Sequence, residues 1–263
     1  MPARLFVEQS LQASPASSVS SEADAAAAAD FNLPPGAARH VQVLRLQPGD
    51  RVTLFDGSGD EWTAEVTAMS RSEVRVVLRE RHAVDRELRP RVTLAVVMPA
   101  NDRMDGIVEK ACELGAVAIQ PLMSERSVLR LTGDRAEKKR AHWQGVAIAA
   151  AEQCGRTRPL QVAPVKTLGA WLAELGEADG PRWLLSPVAA QPLSALAEVP
   201  SESAEGERRI LVLSGPEGGL SEAEEQSARA RGFSAVKLGP RILRADTAPL
   251  AVLGWLALSD TGA

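Results

Sequence analysis

The sequence predicts an α/β protein: a mostly parallel sheet with helices on both faces, preceded by a small all-β domain. Three observations predict it. From Val92 onward, apolar runs alternate with stretches of helical spacing, the pattern of a parallel sheet joined by crossover helices. Val92-Thr-Leu-Ala-Val-Val-Met98 is continuously apolar, as a strand buried on both faces requires. Before residue 80 the pattern is instead short β-rich runs separated by turn residues.

The elements follow in order. The opening Met-Pro-Ala-Arg-Leu-Phe-Val lacks the long apolar core of a signal peptide. No stretch approaches the roughly 20 apolar residues of a membrane helix, so a cytoplasmic protein is expected. Residues 11–30 are rich in Ser and Ala, have little to bury, and are expected to form a surface insertion. Residues 39–80 read as all-β. Val41, Val43, Leu44 and Leu46 precede a turn at Pro48-Gly49-Asp50, and the runs Arg51–Asp56 and Glu61–Val66 flank Gly57-Ser58-Gly59 as a hairpin. Val74–Leu78 supplies another strand, giving a small barrel or sandwich over residues 1–85. The charged stretch 80–90, ending at Pro90, reads as a linker to a second domain over 90–263.

In that domain Met104, Ile107, Val108, Ala111 and Leu114 have helical spacing, and Gly115 suits the helix end. Val117–Gln120 is the next strand. Asp134 with Glu137 has capping-box spacing, ahead of a helix expected to bury Trp143, Val146, Ala147, Ala150 and Cys154. Strands are predicted at Trp183–Leu185, Ile210–Leu213 and Ala235–Leu238. Ser221 with Glu224 caps a helix ending near Gly232, residues 247–258 form the last helix, and the polar stretch Ser201–Glu207 is a loop.

Composition narrows the function. A net charge of -4 excludes a globally basic nucleic-acid binder, so any RNA contact must come from local patches. Arg126, Arg130, Arg135, Lys138, Lys139 and Arg140, opposed by Asp134 and Glu137, form a basic cluster that reads as a solvated helix face or, alternatively, as an RNA-backbone patch. Cys112 and Cys154 are too few and too far apart for a zinc pattern or a disulfide scaffold, and both read as helix-buried thiols. His40, His82 and His142 show no ligand spacing, so no metal is expected.

Two loops carry the chemistry. Ile210-Leu-Val-Leu-Ser-Gly-Pro-Glu-Gly-Gly219 is an apolar run that stops at a stiff, glycine-rich turn. Leu238-Gly-Pro-Arg-Ile-Leu-Arg244 repeats the design. Glycine admits close backbone approach to a ligand, proline stiffens the loop, and parallel sheets bind ligands outside the carboxyl ends of their strands. One site built from both loops is therefore expected. It lacks the Gly-Lys-Ser/Thr ending of a phosphate-gripping loop, and Glu217 would repel phosphate, so a ligand with a cationic or neutral centre fits better. Ile242 and Leu243 suit an adenine, and Arg241 or Arg244 a carboxylate or phosphate.

The chain resembles the RsmE family of 16S ribosomal RNA uridine N3-methyltransferases, of the SPOUT class of knotted methyltransferases. The matching stretches are His40-Val-Gln-Val-Leu-Arg-Leu46, Gly49-Asp50, Phe55-Asp-Gly57, Arg103-Met-Asp105, Glu109-Lys110, Glu113-Leu-Gly115, Ser124-Glu-Arg-Ser127, Ala151-Glu-Gln-Cys-Gly-Arg156 and the two glycine loops. The resemblance implies an N-terminal PUA-like β-barrel for RNA binding and a C-terminal domain with a trefoil knot. It implies S-adenosylmethionine held by Leu213, Gly215, Glu217, Gly218, Gly219, Leu238, Gly239, Ile242, Leu243 and Thr247. It also implies 16S rRNA in the small ribosomal subunit as substrate, and a homodimer. Arg244 is the candidate for steering the uracil, and Glu217 or Asp246 for taking its proton. Arg39, Arg45, Arg103, Lys110, Arg126 and Arg156, in or beside the matching stretches, are the candidate RNA contacts. The family's usual Thr-Glu-Thr-Ala is Ala245-Asp246-Thr247-Ala248 here, and Asp246 reaches one methylene less far. The rival functions are a related knotted enzyme acting on ribose 2′-OH or tRNA, and a non-catalytic RNA-binding assembly factor.

Overall fold

The computed structural model divides the chain into two units, Met1–Arg86 with Ala151–Pro159, and Glu87–Ala150 with Leu160–Ala263. The structure describes residues 2–11, 30–101, 103–188, 191–196 and 208–259. Most of the expected insertion at 11–30 and all of the expected loop Ser201–Glu207 lie outside these residues.

The first unit contains β1 (Ala3–Phe6), β2 (Asp30–Asn32), α1 (Pro35–Val43), β3 (Arg51–Phe55), β4 (Asp60–Met69) and β5 (Val74–Ala83). They form one five-stranded sheet in the order β1-β3-β4-β5-β2. The β3–β4 hairpin forms around Gly57 and Gly59, both in the left-handed region, where glycine carries no Cβ penalty. Alternate residues Leu54, Trp62, Ala64, Val66, Val74 and Val76 point inward onto Leu5, Ala38 and Val41.

The stretch 41–46 corrects the all-β expectation, because Val41 and Val43 belong to α1. Pro35 opens the helix at a position where its missing N–H costs nothing. Ala37, Ala38 and Val41 then share one buried face, while Val43 and Leu44 are exposed. The apolar run is one helix face plus two surface residues, not a strand.

Residues 151–159 complete this unit. Glu152 accepts the Phe6 N–H at 2.9 Å and lies 3.4 Å from His40 Nδ1. The Gly155 carbonyl accepts from Arg4 at 3.0 Å and Arg86 at 2.8 Å, and Thr157 donates to the Gly59 carbonyl at 3.1 Å. Burial raises the Glu152 carboxyl above its usual value, against the opposing pull of the Phe6 N–H, His40 and Arg4.

Glu61 behaves in the opposite way. Burial would raise it, but hydrogen bonds from Arg86 and Arg4 outweigh that and hold it below the ordinary 4.5. Its stabilising contribution is therefore complete above 4.5 and is lost as pH falls through the depressed value. Glu61→Gln is expected to cost about 1 kcal/mol at neutral pH, a partly solvated pair being screened. The cost should vanish in strong acid, where wild type carries a neutral carboxyl too. Urea midpoints at the two pH values check this, and an undiminished difference in acid would contradict it.

The second unit contains β6 (Arg91–Val97), α2 (Arg103–Glu113), β7 (Ala118–Met123), α3 (Gly133–Cys154, whose last turn belongs to the first unit), β8 (Gln161–Val162), β9 (Lys166–Thr167) and α4 (Leu168–Glu174). It continues through β10 (Arg182–Leu185), β11 (Gln191–Pro192), α5 (Leu193–Leu196), β12 (Arg209–Ser214), α6 (Glu222–Ala230), β13 (Phe233–Lys237) and α7 (Thr247–Ser259). The sheet runs β11-β13-β10-β12-β6-β7-β8, with β9 also on β7, and every recorded pairing is parallel. Its strands bury Leu94, Val96, Ile119, Leu184, Val212 and Val236 completely.

The helices obey their sequence signals with small differences. Ser221 and Glu224 form a reciprocal capping box at α6. Asp134 lies inside the first turn of α3 rather than capping it. Trp143, Ala147 and Ala150 are buried, but Val146 and Cys154 only half so. Part of the expected linker 80–90 is strand, since β5 runs on to Ala83. No helix among the described residues is long and apolar enough to cross a membrane.

The strand order gathers the ends that matter for a ligand. β13, β10 and β12 are neighbours, so Lys237, Leu185 and Ser214 end side by side at the carboxyl edge of the sheet.

Candidate active site

A pocket of about 370 Å³ opens at that edge, within the range of small-molecule sites. Both glycine loops line it. From the first come Gly215, Pro216, Glu217 and Gly219, and from the second Leu238, Gly239, Ile242, Leu243 and Arg244. Gly219 at φ +67° and Gly239 at φ +81° hold left-handed turns that side chains disfavour. The Gly219 N–H closes its turn on the Pro216 carbonyl at 2.9 Å.

Neighbouring loops brace the first glycine loop. Arg126 donates to the Gly218 carbonyl at 2.8 Å and to that of Leu220 at 3.3 Å. The Glu125 N–H donates to Glu224 at 2.7 Å, joining the same loop to the α6 cap. From the β6–α2 connection, the Ala100 N–H donates to Glu217 at 3.1 Å, and Arg103 lies 3.9 Å from the same carboxylate. Arg103 also lies 3.5 Å from Asp246.

The remaining candidates are placed differently. Leu213 is fully buried in β12 and Gly218 faces Arg126, so neither lines the pocket. Asp246 and Thr247 follow the lining residues Arg244 and Ala245 at the start of α7, and the Thr247 hydroxyl donates to Asp246 at 3.3 Å. The structure adds residues that sequence reasoning missed: Leu185, Ser186, Pro187, Glu225, Val236 and Lys237. Ser186 is buried and donates to Glu225 at 3.0 Å. The signal for it is present in the chain, because a residue just past a parallel strand belongs at the ligand edge.

The donor set suits S-adenosylmethionine. Leu185, Leu238, Ile242 and Leu243 offer apolar surface for an adenine, and two glycine turns present backbone groups. Glu217 and Glu225 provide carboxylates, which favour hydroxyls and a cationic sulfur over phosphate.

Comparison with known proteins decides the family. A family model described as an RNA methyltransferase domain matches residues 86–257, and an RNA methyltransferase PUA domain matches residues 33–79. The ribosomal RNA small subunit methyltransferase E of Bacillus subtilis is 33% identical over 82% of this chain and 85% of its own length. The chain belongs to the ribosomal RNA small subunit methyltransferase E family. A crystal structure of the Neisseria gonorrhoeae methyltransferase E bound to S-adenosyl methionine superposes with a TM-score of 0.82, at 32% identity and 98% coverage of both chains. A Legionella pneumophila methyltransferase in complex with the cofactor SAM superposes with a TM-score of 0.84, at 27% identity and 98% coverage of both.

In this methyltransferase E family member the six candidate RNA contacts divide by environment. Arg39 and Arg45 are exposed on and just after α1, and Arg45 takes a left-handed φ of 56°. Arg103 and Arg126 are engaged by the site loops. Lys110 donates to Glu109 at 2.6 Å and to Glu113 at 3.1 Å, and these bonds raise its ammonium pKa above the usual value. Arg156 is 3% exposed, which removes its side chain from solvent.

Proposed function

We propose that this chain transfers the methyl group of S-adenosylmethionine to N3 of a uridine in 16S rRNA of the small ribosomal subunit, in the cytoplasm. One observation carries the proposal: two glycine turns and three strand ends converge on a pocket rich in carboxylate and backbone groups. The gonococcal relative, similar along nearly its whole length, was solved with S-adenosyl methionine.

Bound there, the cofactor supplies an electrophilic methyl on a sulfonium. N3 of uracil lies on the Watson–Crick edge, so the base must be unpaired or extruded to meet it. The N3–H bond breaks as N3–C forms and C–S breaks, leaving 3-methyluridine, S-adenosylhomocysteine and a proton. Arg244, at the pocket wall, faces the developing negative charge on the uracil carbonyls, and Asp246 or Glu217 relays the proton to solvent. Glu217 accepts the Ala100 N–H and Asp246 the Thr247 hydroxyl, and both lie within 4 Å of Arg103, so either can take the task. Alignment of methyl and nitrogen supplies much of the acceleration.

Three further parts belong to this reading. The loops at 215–219 and 238–246 form the trefoil crossing of the family, and the first-unit sheet acts as a barrel that carries RNA on the side of Arg39 and Arg45. The chain works as a homodimer through α7, which is apolar along most of its length and leaves Leu258 89% exposed. Sedimentation at micromolar concentration is expected to give a dimer, and a monomer would refute that part.

Incubation of labelled cofactor with small subunits from a strain lacking the enzyme tests the reaction. Digested RNA should yield 3-methyluridine by mass spectrometry. A 2′-O-methylated nucleoside or methylated tRNA would move the activity to another branch of the class, and tight binding without transfer would favour an assembly factor.

A further inference from the structure

We propose that Arg103 is a positioning residue of the methyl-transfer site, a single cation that ties the first glycine loop, through Glu217, to the start of α7, through Asp246. The inference rests on the reading of this pocket as the cofactor site. Arg103 Nη1 stands 3.9 Å from Glu217 Oε1 and 3.5 Å from Asp246 Oδ2. Both acids belong to segments that build the pocket wall, since Glu217 lines it and Asp246 follows Arg244 and Ala245, which do. Three connections, from β6 to α2, from β12 to α6 and from β13 to α7, therefore meet on one guanidinium.

The anchor is firm at its own end. Arg103 is the first residue of α2, whose Met104, Ile107, Val108, Ala111 and Cys112 are buried. Just before it, Asn101 takes a left-handed φ of 58°, and Ala100 offers its N–H to Glu217.

The tie is unequal in what it secures. Glu217 keeps a second anchor in the Ala100 N–H, whereas among the described residues Asp246 accepts from the adjoining Thr247 hydroxyl alone. Without Arg103, Glu217 stays near its place. Asp246, and with it the segment carrying Arg244, loses its link to the opposite loop. The two carboxylates also lose the positive charge between them. Catalysis therefore suffers more than cofactor binding. Both acids face the same guanidinium nitrogen, so a lysine ammonium reaching that point restores the charge between them.

The test separates this role from direct RNA contact. Calorimetry without RNA measures cofactor affinity, and steady-state methylation of small subunits gives kcat and KM. Arg103→Gln is expected to weaken cofactor binding roughly threefold to tenfold, as for a partly exposed charge pair. It should lower kcat about a hundredfold, the scale of an ångström-level misplacement, while KM for subunits stays within about twofold. Arg103→Lys should recover most of the cofactor affinity and part of kcat. In the Arg103→Gln background Asp246→Asn should weaken cofactor binding little further, because both changes cut the same link, whereas kcat also carries the proton-relay role of Asp246. The proposal is overturned if Arg103→Gln leaves cofactor affinity and kcat unchanged and raises only the subunit KM, or if the Arg103 and Asp246 losses of cofactor affinity multiply independently. The wild-type titration reports on the pocket itself: a wild type that binds no cofactor overturns the reading beneath the proposal as well.

Discussion

Arg244→Ala is expected to lower kcat by about 10²–10³, the usual loss when one donor aimed at developing charge is removed. The geometry makes the substitution clean. The Arg244 carbonyl accepts the Thr247 and Ala248 N–H groups at 3.0 Å each, so the backbone here is set by the start of α7. The side chain is exposed along the pocket wall. Alanine therefore removes a guanidinium and leaves the loop in place. Cofactor affinity should change by less than about threefold and the melting temperature hardly at all, because little buried contact is lost. Arg244→Lys should recover only part of the rate, since a point charge does not present two parallel N–H groups to a carbonyl edge. Single-turnover methylation with saturating subunits is the measurement. Full turnover by Arg244→Ala would withdraw the residue from the chemistry.

Gly180→Ala is expected to cost about 3 kcal/mol of folding stability, at the upper end of overpacking penalties. A Cβ at Gly180 would stand 2.0 Å from the Arg209 carbonyl oxygen and 3.0 Å from its carbon. Both are backbone atoms, so no side chain can swing away. The clash falls where β10 and β12 begin their pairing: Arg182 is in register with Leu211, and the Leu211 N–H donates to the Pro181 carbonyl at 3.0 Å. Relief requires parting two adjacent strands near the middle of the sheet. Gly176→Ala, earlier in the same connection, meets nothing within 4 Å and should stay within about 0.5 kcal/mol. Urea denaturation of the pair decides. Equal midpoints would show that the two strands separate there without penalty.

The parallel sheet and both glycine loops are legible in the sequence for a physical reason. Strands buried on both faces must be continuously apolar, and Ile210–Leu213 or Val92–Met98 have no other comfortable fold. Glycine and proline then mark where each run stops. Short edge strands such as Gln161–Val162 and Gln191–Pro192 carry no such signature, because two residues set no period. α1 reads as a strand because Val43 and Leu44 extend an apolar run past the buried face of the helix. The proline pair ahead of it, Pro34-Pro35, is the better guide.

At the site, local spacing identifies the loops but not their braces. The stretch from Glu217 to Glu225 suggests only a turn and a helix start, yet Arg126 and Ala100 hold that region from far away in sequence. Such long-range hydrogen bonds leave no periodic trace. The same holds for Ser186, contributed by a strand whose neighbours are later in the chain. Arg156 shows the converse: a basic residue in a matching stretch suggests an RNA contact, and nothing in its spacing reveals that its side chain is buried.

The return of residues 151–159 to the first unit bears on how the protein is made. A ribosome emits the strands of that unit first, but Phe6, Gly59 and Arg86 must wait for partners encoded in that later segment. Between Arg86 and Gly155 lie roughly 70 residues, and at a synthesis pace of about 5–20 residues per second that delay is about 4–14 s. During it the nascent sheet has its Leu54 and Trp62 core but not the Glu152 and Gly155 clasp. An amino-terminal fragment cut at the sequence boundary would be arrested in that unfinished condition. The first unit is thus complete only after part of the second has been made.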